Sequence, residues 1–378
     1  MKDVVIAGYV RSPFTPAKKG NLARVRPDEL GAQVVKGLLK KTGVQVDDVE
    51  DMILGCAFPE GEQGLNVARI VGFLVGLPLS VAGTTVNRFC GSSMQAIHMA
   101  AGAIQMEAGE AFICGGVESM TRVPMMGFNP LPHPGLCESY PQVYISMGLA
   151  TEHLARKYEI PRTAQEEFAL ASHRKAAASE TSGNFSDEII PIAHNGDTID
   201  KDGCIRPKTS QEALASLEPA FDKDGTVTAG TSAPLTDGAV AVLICSQDYA
   251  RRKDLKALAR IRGIAVAGCA PEMMGIGPVN AVRKALKRAD LTLNDMAFIE
   301  LNEAFAAQTL ACVQELNIAL ERLNVEGGAL ALGHPLGASG ARITGKVASL
   351  LSRHGGKYAL ATMCIGGGQG IATVLEAV

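Results

Sequence analysis

The sequence encodes an α/β fold made of two similar halves, and three matches between distant segments carry that reading. Leu39–Val49 (LKKTGVQVDDV) realigns without a gap onto Leu286–Met296 (LKRADLTLNDM), each the end of an amphipathic helix, a turn and the approach to a strand. Cys90–Ile97 (CGSSMQAI) lies over Leu336–Ile343 (LGASGARI), and Cys114-Gly115-Gly116 and Cys364-Ile365-Gly366-Gly367 follow short apolar strands near the end of each half. One such match would be chance, whereas three in the same order indicate a duplicated unit.

Val4-Val5-Ile6-Ala7 reads as a first strand directly after Met1-Lys2-Asp3, not as a signal peptide. Strands at Met52–Leu54 and Phe298–Leu301 run into Gly55-Cys56-Ala57 and Asn302-Glu303-Ala304. From Ile70 to Asn87 the chain is uncharged and holds a GxxxG pair, Gly72 and Gly76. Pro78, Ser80, Gly83, Thr84 and Thr85 break the apolar run, so the reading is a short buried helix, a turn and a strand Thr84–Val86 rather than a membrane span. Residues 119–232 change character, with Pro, Met and His clustered at Pro124–Pro134, an amphipathic helix over Glu152–Thr181 and polar turns through Asn195–Gly203. The second half restarts with Leu258-Ala259-Arg260-Ile261. The expected division is an N-terminal half, 1–118, to which 233–256 return, an inserted loop domain, 119–232, and a C-terminal half, 257–378.

Composition excludes several functions. The 378 residues hold 36 basic and 39 acidic side chains, a net charge of −3 that leaves no basic surplus for a nucleic acid. With no Trp and 4 % aromatics, the core must be packed by aliphatics and Met. Nine scattered cysteines without a CxxC signal neither a metal site nor a dithiol motif, and fit a reducing, cytoplasmic compartment.

Four segments can carry chemistry. In Thr84–Gln95 a β-type run ends and a helix begins, placing Cys90 at or next to the helix start, where backbone N–H groups and the helix dipole favour a thiolate. The plain alternative is a small packing cysteine. Gly333-His334-Pro335 ends an apolar, strand-like run from Asn324, and Pro335 holds His334 extended; its alternative is a hydrogen-bonded structural histidine. His334 stands in the second half nearly where Cys90 stands in the first, so a Cys–His encounter is geometrically plausible. Thr362–Gly370 is glycine-rich but is neither GxxxxGK[ST] nor GxGxxG, which favours exposed N–H groups for an oxyanion beside Cys364. Asn302-Glu303 sits between a strand and a helix, where its alternative role is an N-cap.

Together V-N-R-F-C-G-S-S (Val86–Ser93), N-E-A-F-A-A-Q (Asn302–Gln308), G-G-A-L-A-L-G-H-P-L-G-A-S-G-A-R (Gly327–Arg342) and C-I-G-G-G-Q-G (Cys364–Gly370) resemble the thiolase family. The resemblance spans essentially the whole chain, including Gly115–Met120, Gly225–Gly230 and Met274–Pro278. It implies two βαβαβαββ halves in a five-layered αβαβα core plus a loop domain. It also implies that Cys90 accepts the acyl group, His334 activates it and Cys364 shuttles a proton. Asn302 would hold a water that forms an oxyanion hole with the His334 ring, and the N–H groups of Cys90 and Gly366 would form a second. Arg206 matches the family arginine near the CoA adenine, and Met147, Phe221, Ala229 and Phe305 match residues along the pantetheine and acyl path.

Two departures stand out. Ala233 and Ala213 replace polar residues of the family, the first a serine that contacts CoA. Gly91-Ser92-Ser93-Met94 and the Ala229–Ser232 stretch look more like the degradative thiolases of fatty-acid β-oxidation. The implied activity is therefore 3-ketoacyl-CoA thiolysis with CoA as co-substrate and no permanent cofactor or metal. The alternatives are condensation of two acetyl-CoA by an acetyl-CoA acetyltransferase and, more distantly, a non-catalytic acyl-CoA or lipid carrier. Implied partners are a second copy, as homodimer or homotetramer, and a hydratase–dehydrogenase subunit.

Overall fold

The computed structural model describes residues 2–378. The first half contains β1 (Val4–Arg11), α1 (Pro27–Thr42), β2 (Val49–Gly55), α2 (Val67–Val75), β3 (Ala82–Val86), α3 (Ser92–Gln105) and β4 (Ala111–Ser119), completed after a long insertion by β5 (Thr236–Ser246). The insertion carries α4 (Met147–Lys157) and α5 (Arg162–Thr181). The second half contains β6 (Ala259–Gly268), α6 (Gly277–Ala289), β7 (Met296–Leu301), α7 (Ala306–Leu316), α8 (Leu336–His354), β8 (Tyr358–Ile365) and β9 (Gln369–Glu376).

Two sheets, β1-β5-β4-β2-β3 and β7-β8-β9-β6, are joined edge to edge by only two residue pairs, Val5 with Arg260 and Ile6 with Ala259. The repeat is visible in the pairing, because β2 is parallel to β3 and β4 as β7 is parallel to β8. The partner of β7 on its other side has shrunk to one bridge, Ile299 with Leu323. Helices α3 and α8 lie between the sheets in one apolar core with Met94, Ile97, Ile343 and Val347. Helices α1 and α2 cover the outer face of the first sheet and α6 and α7 that of the second. The result is the five-layered αβαβα arrangement. Strands β1, β4 and β5 are buried along their whole length, as strands covered on both faces must be.

Two local expectations need correction. The helix expected over Glu152–Thr181 is two helices, α4 and α5, because Pro161 pushes Ile160 out of helical conformation and Glu159 turns left-handed at φ 51°. The run before Gly333 is not a strand but a short buried helix, Ala329–Leu332. Its Ala-Leu-Ala-Leu sequence is buried on every side, so it has no alternation to distinguish strand from helix. No helix among the described residues is long and apolar enough to cross a membrane.

Candidate active site

Three chemistry-bearing residues lie at the carboxyl ends of parallel strands, where open α/β sheets place their ligand sites. Cys90 follows β3, Asn302 follows β7, and Cys364 is the next-to-last residue of the neighbouring β8, with the Asn302 N–H bonded to Thr362 O at 3.0 Å. His334 precedes α8 from the other direction. The central helices thus bring the candidates of the two halves into one region.

Cys90 sits in a tight elbow. Phe89 is held left-handed at φ 43°, its N–H donating to Asn87 Oδ1 at 2.8 Å and its carbonyl accepting from Ser92 Oγ at 2.6 Å. A left-handed non-glycine residue immediately before a candidate nucleophile is strain of the kind that accumulates at functional sites. The N–H groups of Gly366 and of Cys90 itself bond the sulfur and pull its pKa down. They lose to burial: desolvation, aided by the charge of Glu118, pushes the Cys90 thiol up to about 12. The pull of the N–H groups expected from the sequence is thus present, but burial outweighs it. His334 moves the opposite way, to about 3, first by burial and then by the positive charge of Arg342. Cys364 is raised well above the ordinary thiol range, again by burial. Cys90, Cys364 and His334 therefore rest uncharged, as thiols and imidazole.

The imidazole is held on three sides. Its backbone N–H donates to Thr236 Oγ1 at 3.0 Å, Nδ1 lies 2.6 Å from Ser339 Oγ, and Asn302 Nδ2 stands 3.5 and 3.4 Å from Nδ1 and Nε2. Asn302 does not cap the following helix, whose N-cap is Phe305, and its Oδ1 is buried without a partner. Behind it, the buried Glu303 carboxylate accepts from Ser172 Oγ, Asn324 Nδ2 and the Leu330 N–H, which ties the Asn302 loop to α5 and to the helix before His334.

Two cavities meet here and share Met125, Met147 and Leu336. One, of about 180 Å³, has His334 at its base and Met147, Phe221, Ser232, Ala233 and Phe305 on its walls, with the Phe221 and Phe305 rings packed edge to face at 5.8 Å. The other, of about 250 Å³, opens from Cys90 and Gly366 and is apolar, walled by Phe58, Phe89, Val143, Ile145 and Met274. Met147, Phe221 and Phe305 are thus brought to the site. Arg206 and Ala229 are exposed and line neither cavity. The glycine-rich turn Gly366–Gly368 has left-handed Gly367 and Gly368, and its Gly366 N–H faces Cys90.

Sequence reasoning missed Ser339, Thr236 and Glu118. Ser339 was present as a letter of the segment after His334, whereas the other two act across the fold. Buried Glu118 accepts from the N–H groups of Ala57, Phe58 and Gly337, fastening a cavity wall to the start of α8. Among the described residues no group of three or more His, Cys, Asp or Glu is placed to hold a metal.

The chain matches the thiolase N-terminal domain family over residues 4–248 and the thiolase C-terminal domain family over residues 255–377. It is 46 % identical to a 3-ketoacyl-CoA thiolase of Bacillus subtilis and 47 % identical to one of Aliivibrio fischeri, both over the full length of each chain. Among solved structures it is similar to human mitochondrial 3-ketoacyl-CoA thiolase in complex with CoA (TM-score 0.92, 39 % identity, covering 100 % of this chain and 98 % of that one). It is equally similar in fold to the Bacillus anthracis acetyl-CoA acetyltransferase (TM-score 0.92, 40 % identity, 100 % and 99 % covered).

Proposed function

The chain belongs to the thiolase family and is an acyltransferase, and from that premise we propose that it cleaves 3-ketoacyl-CoA with CoA, releasing acetyl-CoA and a shortened acyl-CoA. The observation that carries the reading is the pair of cavities meeting at Cys90 and His334. One suits a thioester arm, and the other offers an acyl chain about 250 Å³ of apolar space that an acetyl group would leave mostly empty.

In this reading the Cys90 proton passes to His334 as the sulfur adds to the ketone carbon. The oxyanion forms against the N–H groups of Cys90 and Gly366. Cleavage of the carbon–carbon bond leaves an acyl-Cys90 thioester and an enolate. The enolate is held by the ring N–H of His334 and a water on Asn302, whose unpartnered Oδ1 supports that role, and takes its proton from Cys364. Cys364 then deprotonates the incoming CoA thiol, which attacks the acyl-Cys90 thioester. The departing Cys90 thiolate recovers the proton from His334.

Met147, Phe221 and Phe305 would guide the CoA arm, with Arg206 and Ala229 contacting its outer part. The division into halves 1–118 with 233–256 and 257–378, and a CoA-binding loop domain 119–232, belongs to the same proposal. A second copy is the proposed partner, supported by the edge strand β3 and the exposed Leu65, Phe73 and Leu79 beside it. Association with a hydratase–dehydrogenase subunit would be a further layer. A cytoplasmic location is supported by nine free cysteines, of which Cys137 alone is exposed.

The test is the rate of thiolysis of acetoacetyl-CoA and of 3-ketohexadecanoyl-CoA, side by side. Preference for the long chain is expected, and activity confined to acetoacetyl-CoA would move the enzyme to C4 metabolism. Cys90→Ala is expected to form no acyl-enzyme by intact mass, and thiolysis retained in that variant would overturn the assignment.

A further inference from the structure

The group that orients His334 is a neutral hydroxyl. Ser339, 1 % exposed, places Oγ 2.6 Å from His334 Nδ1 and 3.2 Å from the Pro335 carbonyl oxygen. The carboxylates of this region are engaged elsewhere: Glu118 with three N–H groups and Gln63, Glu303 with Ser172, Asn324 and Leu330, and Glu300 with Arg342.

A hydroxyl carries one hydrogen. If Ser339 donated to Nδ1, its contact with the Pro335 carbonyl would be oxygen against oxygen with no hydrogen between them. Both contacts are hydrogen bonds only if Nδ1 carries the proton, donates to Ser339 Oγ, and Ser339 in turn donates to Pro335 O. Asn302 Nδ2, almost equidistant from the two ring nitrogens, does not choose between them.

We propose that Ser339 is a positioning residue that fixes the Nδ1–H tautomer of His334 and so leaves the Nε2 lone pair free to take the Cys90 proton. This rests on the reading of His334 as the base. When the proton moves from Cys90 sulfur to Nε2, Nδ1–H stays on Ser339, and the same proton returns to the sulfur at deacylation, so none is lost or gained. A carboxylate in this place would stabilise the imidazolium strongly. A hydroxyl beside the positive Arg342 stabilises it weakly, which suits a base that must hand its proton back in every turnover.

The test uses the full chain with ¹⁵N-labelled histidine and no substrate, the His334 signals being identified by their loss in His334→Gln. Wild type is expected to show protonated Nδ1 and unprotonated Nε2. Ser339→Ala is expected to shift the ring towards Nε2–H and to lower kcat about ten- to a hundredfold, the loss seen when the partner orienting a metal-bound histidine is removed, with KM for both substrates nearly unchanged. Ser339→Thr, which keeps the hydroxyl, should restore both. An Nε2–H tautomer in wild type, or a kcat loss in Ser339→Ala without a tautomer change, overturns the proposal. Turnover retained by His334→Gln would instead remove His334 from the reaction while leaving the tautomer result standing, so the two failures are distinguishable.

Discussion

At the residue scale, the resting neutrality of the site shows how local and tertiary effects compete. The segment around Cys90 places its sulfur by a helix start and against two backbone N–H groups, yet the folded chain buries it, and desolvation wins. The N–H groups at Cys90 then matter most when negative charge develops on the substrate oxygen. Thr236 illustrates support from a distance. Its hydroxyl accepts the His334 N–H and donates to Pro234 O at 2.6 Å. Thr236→Val keeps the shape and removes both bonds, so a buried N–H is left unpaired at a cost of about 1–3 kcal/mol. A lower urea midpoint together with a lower kcat is expected, and an unchanged midpoint would count against the bond. Cys90, His334, Cys364 and Asn302 could be picked out as candidates from the sequence because each stands near the end of a strand or helix, and the family resemblance then gave them roles. Thr236 could not be, since it lies on another strand and nothing local marks it.

The elements that matter most are α3 and α8, which start beside Cys90 and His334 and cross in the central layer. Small residues set their separation. A Cβ on Gly340 would lie 2.6 Å from the backbone nitrogen of Met94, and the Ala341 N–H donates to Ser93 Oγ at 2.8 Å across the same contact. Gly340→Ala must therefore push two backbones apart, an overpacking cost of about 1–3 kcal/mol. Because the moved helices carry the reacting groups, kcat is expected to fall as well. Gly102→Ala is the control, since Gly102 lies on α3 with nothing within 4 Å of the added carbon. It should gain stability by up to about 1 kcal/mol and keep full activity. Equal kinetic losses in the two variants would mean that helix separation does not position the site. The starts of these helices were readable, because CGSSMQAI and LGASGARI realign. The conformation of Ala329–Leu332 was not, because burial on all sides erased the periodicity that separates strand from helix.

Over the whole molecule, the duplicated halves were legible from their repeat, but what locks the insertion to them was not. Arg11 on β1 reaches Glu188 and Asp202 of the insertion at 2.8 and 2.7 Å, and Glu188 is shared with Lys346 on α8, which also bonds Glu326 at 2.8 Å. These charges are almost fully buried and come from three distant parts of the chain, so no window of sequence shows them together. Such a cluster is costly to break, because removing one charge strands the others. Lys346→Met leaves Glu188 and Glu326 short of a cation and is expected to lower unfolding free energy by about 3–5 kcal/mol at pH 7. The pH dependence separates this from lost packing. Burial works to raise the Glu188 pKa, but Lys346 and Arg11 hold it down at about 2, below the ordinary carboxylate value of 4.5. Its stabilising contribution is therefore complete above pH 4.5 and fades as the pH falls towards 2. The buried histidines His98, His173 and His334, lowered to about 3, 4 and 3, also destabilise the fold as the pH falls below 6.5, but they are common to both chains and cancel in the difference. The gap in urea midpoint between wild type and Lys346→Met should hold steady from pH 7 to 5 and narrow by pH 4. A gap that stays constant to pH 4 would mean that Lys346 contributes through its ammonium lying 4.7 Å from the centre of the Phe185 ring rather than through its pairing with the carboxylates.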